Sequence, residues 1–395
     1  MTPAPPRAGV PATDHPGTGF LAAHHHEIAR LQRGIGRAAL SPALQQLLAD
    51  LHDARTGEPD EITLLLTRPF SRRLAIPEYY RYTCLHVYQW FLDQGAADPL
   101  PETLLALYAT LRDLRDVEGA AWPPAARPGY IGERIALLDT TLTRLRRIPT
   151  DRAGAARLGD SIDRLLVDPD LRRRAAVLAE CTRFPRSDQQ EEYVFLRVVQ
   201  ACECLFFLVR HAALETLAAA HRDVGTAAWH LDRAADFAAL LSDALAVLRT
   251  MSPEGFMTFR EATGSASAVQ SMNYHAMDIA VYGYDARKAE IFAAIPHLAE
   301  LNTPDVRDHP SLAATLAWRA DPRLSDGWQR FDRLLSRWRG AHYRFARTYL
   351  SSDVKASGGT EGAGYVKRFV RREAVRPEVG PRPAEAAALR GFRYL

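Results

Sequence analysis

The sequence predicts an all-α protein built from long, packed helices. Apolar residues recur at spacings of three and four along most of the 395-residue chain, and this spacing places them on one face of a helix. Prolines separate the periodic segments, and no segment alternates apolar and polar residues over a useful length, as a half-buried strand would. The predicted fold class is therefore a helical bundle with an additional N-terminal helical module.

The composition is that of an ordinary globular protein without a strongly charged surface. Apolar residues make up 47% of the chain, and the net charge of +3 comes from interleaved acids and bases. This balance argues against nucleic acid or an anionic membrane as the main partner. The chain start lacks the basic head and apolar core of a secretion signal, and no apolar run reaches the roughly 18 residues that cross a membrane. We therefore expect a cytoplasmic protein.

Changes in composition divide the chain into four predicted parts. Residues 1–19 are rich in proline and form a predicted disordered leader. A helical module follows over 20–180, then a bundle with longer and more apolar helices over 181–375, then a tail over 376–395. Four cysteines show no zinc-ligand spacing, so we expect them to be reduced and structural.

Prolines bound the predicted helices of the N-terminal module. Ser41 followed by Pro42 is a typical helix start, with serine as the cap and proline at the first helical position. The periodic segments predict helices over 35–52, 77–94, 101–117 and 131–147.

The helix predicted over 77–94 is crowded with aromatic residues. The first interpretation is a core helix whose aromatic side chains pack inside the protein. The alternative is that this helix covers a planar ligand.

The predicted bundle begins with a helix over 188–220 whose middle is apolar nearly all round, so we expect it to be central. A second helix is predicted over 230–250. Ser252-Pro253-Glu254 then signals the start of a short helix that carries Phe256 and Arg260. A stretch of small residues precedes another helix over 269–282. Further along, an amphipathic helix carries His342 and runs into a glycine-rich loop.

Three segments, in order, resemble motifs of the tryptophan 2,3-dioxygenase family and of the wider haem-dependent aromatic oxygenases with the same fold. They are EYVFLRVVQACECLF at 192–206, TMSPEGFMTFR at 250–260 with SAVQS at 267–271, and WRGAH at 338–342 with GTEGAGY at 359–365. The resemblance covers about half of the chain. It implies the family's all-α haem-binding bundle for this part.

The resemblance also implies a cofactor site. His342 matches the proximal ligand of a b-type haem, and a neutral imidazole is a suitable iron ligand. Trp338 and Ser267 match residues beside the haem. Without the resemblance, a single histidine on a helix is more often an ordinary structural side chain.

The substrate site is implied in the same way. Arg260 matches the arginine that binds the substrate carboxylate, a role that suits a permanently charged, bidentate guanidinium. Phe195 and Phe256 match aromatic residues of the ring pocket. Gly359 and Thr360 lie in the loop that binds the amino-acid head in the family. A surface arginine at the end of a short helix is the alternative for Arg260.

One departure from the family concerns the distal side of the haem. Tryptophan dioxygenases place a histidine where this chain has Val199, so no protonatable group is expected at this position. Because of this departure, and because of the additional module, the chain looks more like a biosynthetic branch of the superfamily. The implied function is a haem-dependent oxygenase that uses O2 on tryptophan, tyrosine or a derivative, in secondary metabolism.

Other readings stay open at this point. Ring-opening by a tryptophan 2,3-dioxygenase-type enzyme is one, a haem-binding protein without turnover is another, and a cofactor-free helical interaction protein is a third. The resemblance further implies a homo-oligomer in which a neighbour's N-terminal segment closes the site. The additional module leaves open closure within one chain.

Overall fold

The computed structural model describes residues 25–54, 59–95, 98–317, 321–349, 363–370 and 389. These residues fold mainly as helix and contain no strand, apart from an isolated bridge between Pro149 and Arg157. The all-α prediction is confirmed. None of the described helices is long and apolar enough to cross a membrane. The predicted leader lies outside the described residues, and so does the predicted tail apart from Leu389.

The α-helices of the described residues are numbered in chain order. They are α1 (His25–Ile35), α2 (Pro42–Ala54), α3 (Glu61–Thr67), α4 (Glu78–Thr83), α5 (Leu85–Asp93), α6 (Pro99–Ala121), α7 (Gly129–Arg146), α8 (Leu158–Arg164), α9 (Pro169–Thr182), α10 (Gln190–Ala219), α11 (Val224–Leu248), α12 (Pro253–Phe259), α13 (Met272–Tyr282), α14 (Ala289–Ala294), α15 (Pro304–Arg307), α16 (Leu312–Ala317), α17 (Pro322–Tyr349) and α18 (Ala363–Arg368).

The helix predicted over 35–52 begins later than expected. Helix α2 starts at Pro42, and the backbone N–H of Leu44 donates to the Ser41 hydroxyl over 3.2 Å. Helix α1 has already ended at Ile35, because Gly36 takes a positive φ of 80°. A Cβ at Gly36 would lie only 2.5 Å from the carbonyl oxygen of Arg186, so this turn requires glycine.

The helix predicted over 77–94 is two helices. Cys84 has a φ of 56°, in the left-handed region, and it ends α4 and precedes α5. The guanidinium of Arg37 contacts both the Cys84 thiol, at 3.0 Å, and the carbonyl oxygen of Arg81, at 3.1 Å. Because this break is accompanied by long-range contacts rather than marked by glycine or proline, the local pattern did not reveal it.

Helices α10, α11 and α17 form the centre of the bundle. Helix α10 packs along α11, and α17 packs along α11 as well. Helix α10 also contacts α6 and α13, and most of its residues are buried, which accounts for a sequence that is apolar nearly all round. These contacts place one face of α10 and one face of α17 around the same interior space.

A buried arginine joins several of these helices. Arg134 of α7 is fully buried and donates to Glu118 of α6 over 2.8 Å, to Glu191 of α10 over 2.8 Å and to Thr250 over 2.8 Å. These contacts cross the predicted boundary at residue 180. The division into a module over 20–180 and a bundle over 181–375 stays a prediction.

Candidate functional site

A single cavity contacts all the site residues that were predicted from the sequence and that the structure describes. Its volume is about 270 Å³, and helices α4, α10, α11, α12, α13, α17 and α18 contribute to its wall. The predicted residues on this wall are Phe195, Val199, Phe256, Arg260, Ser267, Trp338 and His342. The predicted loop residues Gly359 and Thr360 lie outside the described residues.

Helix α10 lines the cavity with an apolar stripe. Phe195, Val199, Cys202 and Phe206 are three or four residues apart, so they lie on one face of the helix. Val199 contributes only an isopropyl group. Its side chain can neither donate nor accept a proton.

Helix α17 contributes a pair of stacked rings. Trp338 and His342 are four residues apart, and their ring planes are within 11° of parallel with centroids 5.4 Å apart. Trp338 is buried and meets Phe206 edge to face, with centroids 5.5 Å apart. The tryptophan is thus held by α10 and in turn supports one face of the histidine ring.

The His342 imidazole has no hydrogen-bond partner among the described residues, although it faces the cavity. The side chain is half-buried, and the surrounding protein removes enough water to lower its pKa from 6.5 to about 4. The ring is therefore neutral at pH 7. A neutral imidazole with an uncommitted nitrogen is the form that binds a metal.

The start of α12 positions the aromatic part of the wall. Ser252 caps this helix by accepting from the backbone N–H of Gly255 over 2.9 Å. Phe256, one turn into the helix, packs against Phe195 with ring centroids 5.8 Å apart. A 3-10 turn then begins at Arg260, four residues after Phe256.

The segment between α12 and α13 returns to the cavity after a turn at Gly264, where φ is 60°. Ser267 lies in this segment and is half-buried on the cavity wall. The cavity therefore combines a guanidinium and a hydroxyl from one short stretch of chain with a mostly apolar surface.

The sequence did not single out Tyr79 as a site residue. Its side chain reaches the cavity from α4, and its hydroxyl donates to the buried carboxylate of Glu203 over 2.7 Å. Burial raises the pKa of both groups, with the Glu203 charge adding to the effect on Tyr79. Of the tyrosines of α4, Tyr80 and Tyr82 pack in the core as first interpreted, and Tyr79 is the one that matches the alternative of a ligand-covering helix.

Sequence reasoning also missed two cations on the wall. Lys288 and Arg339 both line the cavity, and both contact the carboxylate of Asp278, with Lys288 Nζ at 2.8 Å. A signal for Lys288 was present, because it is one of only three lysines in a chain rich in arginine. The periodicity of the sequence did not show that this residue would be buried.

The relationship suggested by the motifs can be compared with a curated protein. The tryptophan 2,3-dioxygenase of Ruegeria pomeroyi is 27% identical to this chain over 234 residues, which cover 49% of this chain and 84% of the relative. This chain is a distant relative of tryptophan 2,3-dioxygenase. The resemblance stated from the motifs is confirmed at that level. No family model matches the chain.

The residues on the wall fit the haem that the resemblance to the tryptophan 2,3-dioxygenases implies. His342 offers a neutral nitrogen that no described group occupies, and one protein nitrogen would be enough because a porphyrin brings its own nitrogen ligands to the iron. The aromatic and aliphatic side chains around it suit a flat apolar ring. Lys288 and Arg339 give the same wall positive charge, which suits the carboxylates of a porphyrin.

Proposed function

We propose that this protein is a haem-dependent oxygenase that acts on an aromatic amino acid, either tryptophan, tyrosine or a derivative, with O2 as the second substrate. The observation that carries the proposal is the His342 imidazole, which is neutral, lacks a hydrogen-bond partner among the described residues and faces an aromatic cavity. The distant relationship to tryptophan 2,3-dioxygenase supports the same assignment. We further propose that the product belongs to secondary metabolism.

In this proposal His342 is the protein ligand of the haem iron, and Trp338 fixes the orientation of its ring by stacking against it. Ser267, which lines the same cavity, would lie beside the haem, as the sequence resemblance implies. The chemistry that haem supplies when bound is the activation of O2. The protein contributes the binding and orientation of both substrates.

The amino-acid substrate is bound through its two ends. Arg260 binds the carboxylate, because a guanidinium offers two parallel N–H donors to the two oxygen atoms. Phe195 and Phe256 contact the aromatic ring of the substrate. We propose that the loop with Gly359 and Thr360 contacts the amino-acid head and closes the site. Holding the ring and O2 together lowers the entropic part of the barrier.

The valine at position 199 determines which reaction we favour for this site. Because a valine cannot remove a proton, no side chain at this position acts as a general base. Insertion of one oxygen atom, or another oxidation without ring opening, is therefore favoured over ring-opening dioxygenation. A tryptophan 2,3-dioxygenase-type reaction is the alternative outcome for the same site.

The test begins with cofactor binding. We expect the full-length protein to bind haem with a Soret band that shifts when tryptophan or tyrosine is added to the ferrous form. The variant His342→Ala should lose this band, because it removes the proposed iron ligand. A matched control is His26→Ala, which removes an exposed histidine of α1 and should bind haem like the wild type. Absence of haem binding by the wild type would overturn the proposal.

The reaction is tested by product mass. The haem-loaded protein is incubated with a panel of aromatic amino acids under isotopically labelled O2, and each product is analysed by mass spectrometry. Incorporation of one labelled oxygen atom supports the favoured outcome, whereas two atoms with ring opening support the alternative. Bound haem without any O2 consumption would instead support a haem-binding protein without turnover.

A further inference from the structure

Three buried charged side chains form a group at the cavity wall, here called the Lys288 cluster and consisting of Lys288, Asp278 and Arg339. Lys288 Nζ lies 2.8 Å from one carboxylate oxygen of Asp278, and Arg339 Nη2 contacts the other. The three side chains are between 2% and 3% exposed, so bulk water does not solvate them. Two of them, Lys288 and Arg339, line the cavity itself.

The charges of the Lys288 cluster do not balance. Two cations share one carboxylate, which leaves an excess of one positive charge in a buried place. Asp332 is the next carboxylate, and its charge acts on Arg339 from a distance. It is half-buried, accepts from the hydroxyl of Tyr282 over 2.6 Å, and forms no ion pair with either cation. An unbalanced buried charge is costly unless a counter-ion is present.

The neighbouring histidine does not add a further charge or a counter-charge. His275 Nε2 lies 2.9 Å from the carbonyl oxygen of Val269, so this nitrogen carries the proton and donates it. Its Nδ1 is then a lone pair, at 3.5 Å from Lys288 Nζ. Burial and the Lys288 charge lower the pKa of His275 to about 3, so the ring is neutral.

Arg339 also has donors without an acceptor. Its Nε and Nη1 are buried, and among the described residues no group accepts a hydrogen bond from either. A buried guanidinium normally has its N–H groups paired, because leaving them unpaired forfeits the hydrogen bonds that water would provide. Both features, the excess charge and the unpaired donors, indicate a missing anionic acceptor.

We propose that Lys288 and Arg339 bind a carboxylate of the ligand that occupies the cavity, and that this carboxylate is a propionate of the porphyrin. The inference rests on the proposed function. Arg339 precedes His342 by three residues on α17, so the two side chains occupy neighbouring positions on the helix. The residues that would hold the metal and a carboxylate of the same ligand are thus neighbours on one helix. The carboxylate of an amino-acid substrate is the other source with the same chemistry.

The experiment compares two porphyrins that differ only in their carboxylates. Full-length protein without cofactor is titrated with ferric protoporphyrin IX and, separately, with its dimethyl ester, and binding is followed by the Soret absorbance. We expect the wild type to bind the diacid at least about tenfold more tightly, since one charge-assisted hydrogen bond is of this order. The variant Lys288→Met, which keeps the Asp278–Arg339 pair, should lose most of this difference. The matched variant Lys288→Arg should retain it.

A second arm identifies the source of the carboxylate. The haem-loaded wild type and Lys288→Met are titrated with tryptophan and with tryptamine, which lacks the carboxylate. One outcome is that Lys288→Met loses the preference for tryptophan over tryptamine but keeps the preference for the porphyrin diacid over its dimethyl ester. The bound carboxylate then belongs to the amino acid. This outcome supports a carboxylate site at Lys288 and overturns its assignment to the porphyrin.

Two further outcomes overturn the inference. If the wild type binds the diacid and the dimethyl ester equally and Lys288→Met leaves the tryptophan preference unchanged, the Lys288 cluster binds no carboxylate, while haem binding itself still supports the proposed function. If the wild type binds neither porphyrin, the proposed function fails and the inference fails with it. The porphyrin comparison on the wild type needs no variant, so it decides the porphyrin assignment even if Lys288→Met does not fold.

Discussion

His342 differs from the buried histidines His86 and His275 in what surrounds its ring nitrogens. His86 and His275 each use Nε2 to donate to a backbone carbonyl, of Leu65 and Val269 respectively. His342 has no such acceptor among the described residues and faces the cavity instead. The motif gave the position of this histidine in the chain. The missing acceptor could not be predicted, because it depends on how α10, α13 and α17 meet.

His86 is a buried histidine away from the cavity, and its lowered pKa should make the free energy of unfolding depend on pH. Burial lowers its pKa from 6.5 to about 3, so between these pH values the unfolded chain binds one more proton than the folded chain. Stability due to this group is therefore present above pH 6.5 and is lost as the pH falls. We expect the free energy of unfolding to fall by up to about 1.4 kcal/mol per pH unit from this residue alone.

The measurement is urea unfolding of the wild type and His86→Gln at a series of pH values between 7 and 5, both without haem. The variant should show the shallower dependence on pH, since glutamine does not titrate. Equal slopes for the two proteins would contradict the assignment of a strongly lowered pKa to His86.

The positions of the long helices were largely predictable from the sequence. The breaks within helices, and the contacts between segments far apart in the chain, were not. The segments predicted over 188–220 and 101–117 correspond to α10 and α6 within a few residues at each end. Apolar periodicity carries that information because it reflects burial of one helix face. The break at Cys84 and the arrival of Tyr79 and Lys288 at the cavity depend on contacts between segments far apart in the chain, and local periodicity does not record such contacts.

Arg134 is expected to be essential for the way α6, α7 and α10 pack together. The variant Arg134→Met leaves the fully buried Glu118 without its cation and removes the contact with Glu191. Breaking one partner of a buried ion pair typically costs about 3–5 kcal/mol, and we expect a loss in this range. Urea unfolding of the cofactor-free protein provides the measurement.

A matched control is available on α6. Arg112 is about half exposed and pairs with Asp116 one turn away, so Arg112→Met should change the free energy of unfolding by less than about 0.5 kcal/mol. Similar losses for Arg112→Met and Arg134→Met would show that the buried network contributes no more than a surface pair.

If the cavity binds haem as proposed, the stability of the entire protein should depend on haem. A ligand that binds only the folded state raises the free energy of unfolding, by about 2.7 kcal/mol at a free concentration 100 times its Kd. We expect this increase when haem is added to the wild type, as measured by urea unfolding followed by circular dichroism. With His342→Ala at the same haem concentration the increase should be much smaller, because the Kd rises. The same increase in both proteins would argue against His342 as the ligand.

The origin of the cavity wall has a consequence for how the protein is made. Tyr79 contributes to the wall from α4, and Phe369 contributes from the residues that follow α18, so almost 300 positions of the chain separate two parts of one wall. A ribosome adds residues from the N-terminus at about 5–20 per second, so the last part of the wall is synthesised many seconds after the first. Until then the site that we propose for haem lacks part of its wall. If haem binds there, we expect its stable capture only after translation has passed residue 370.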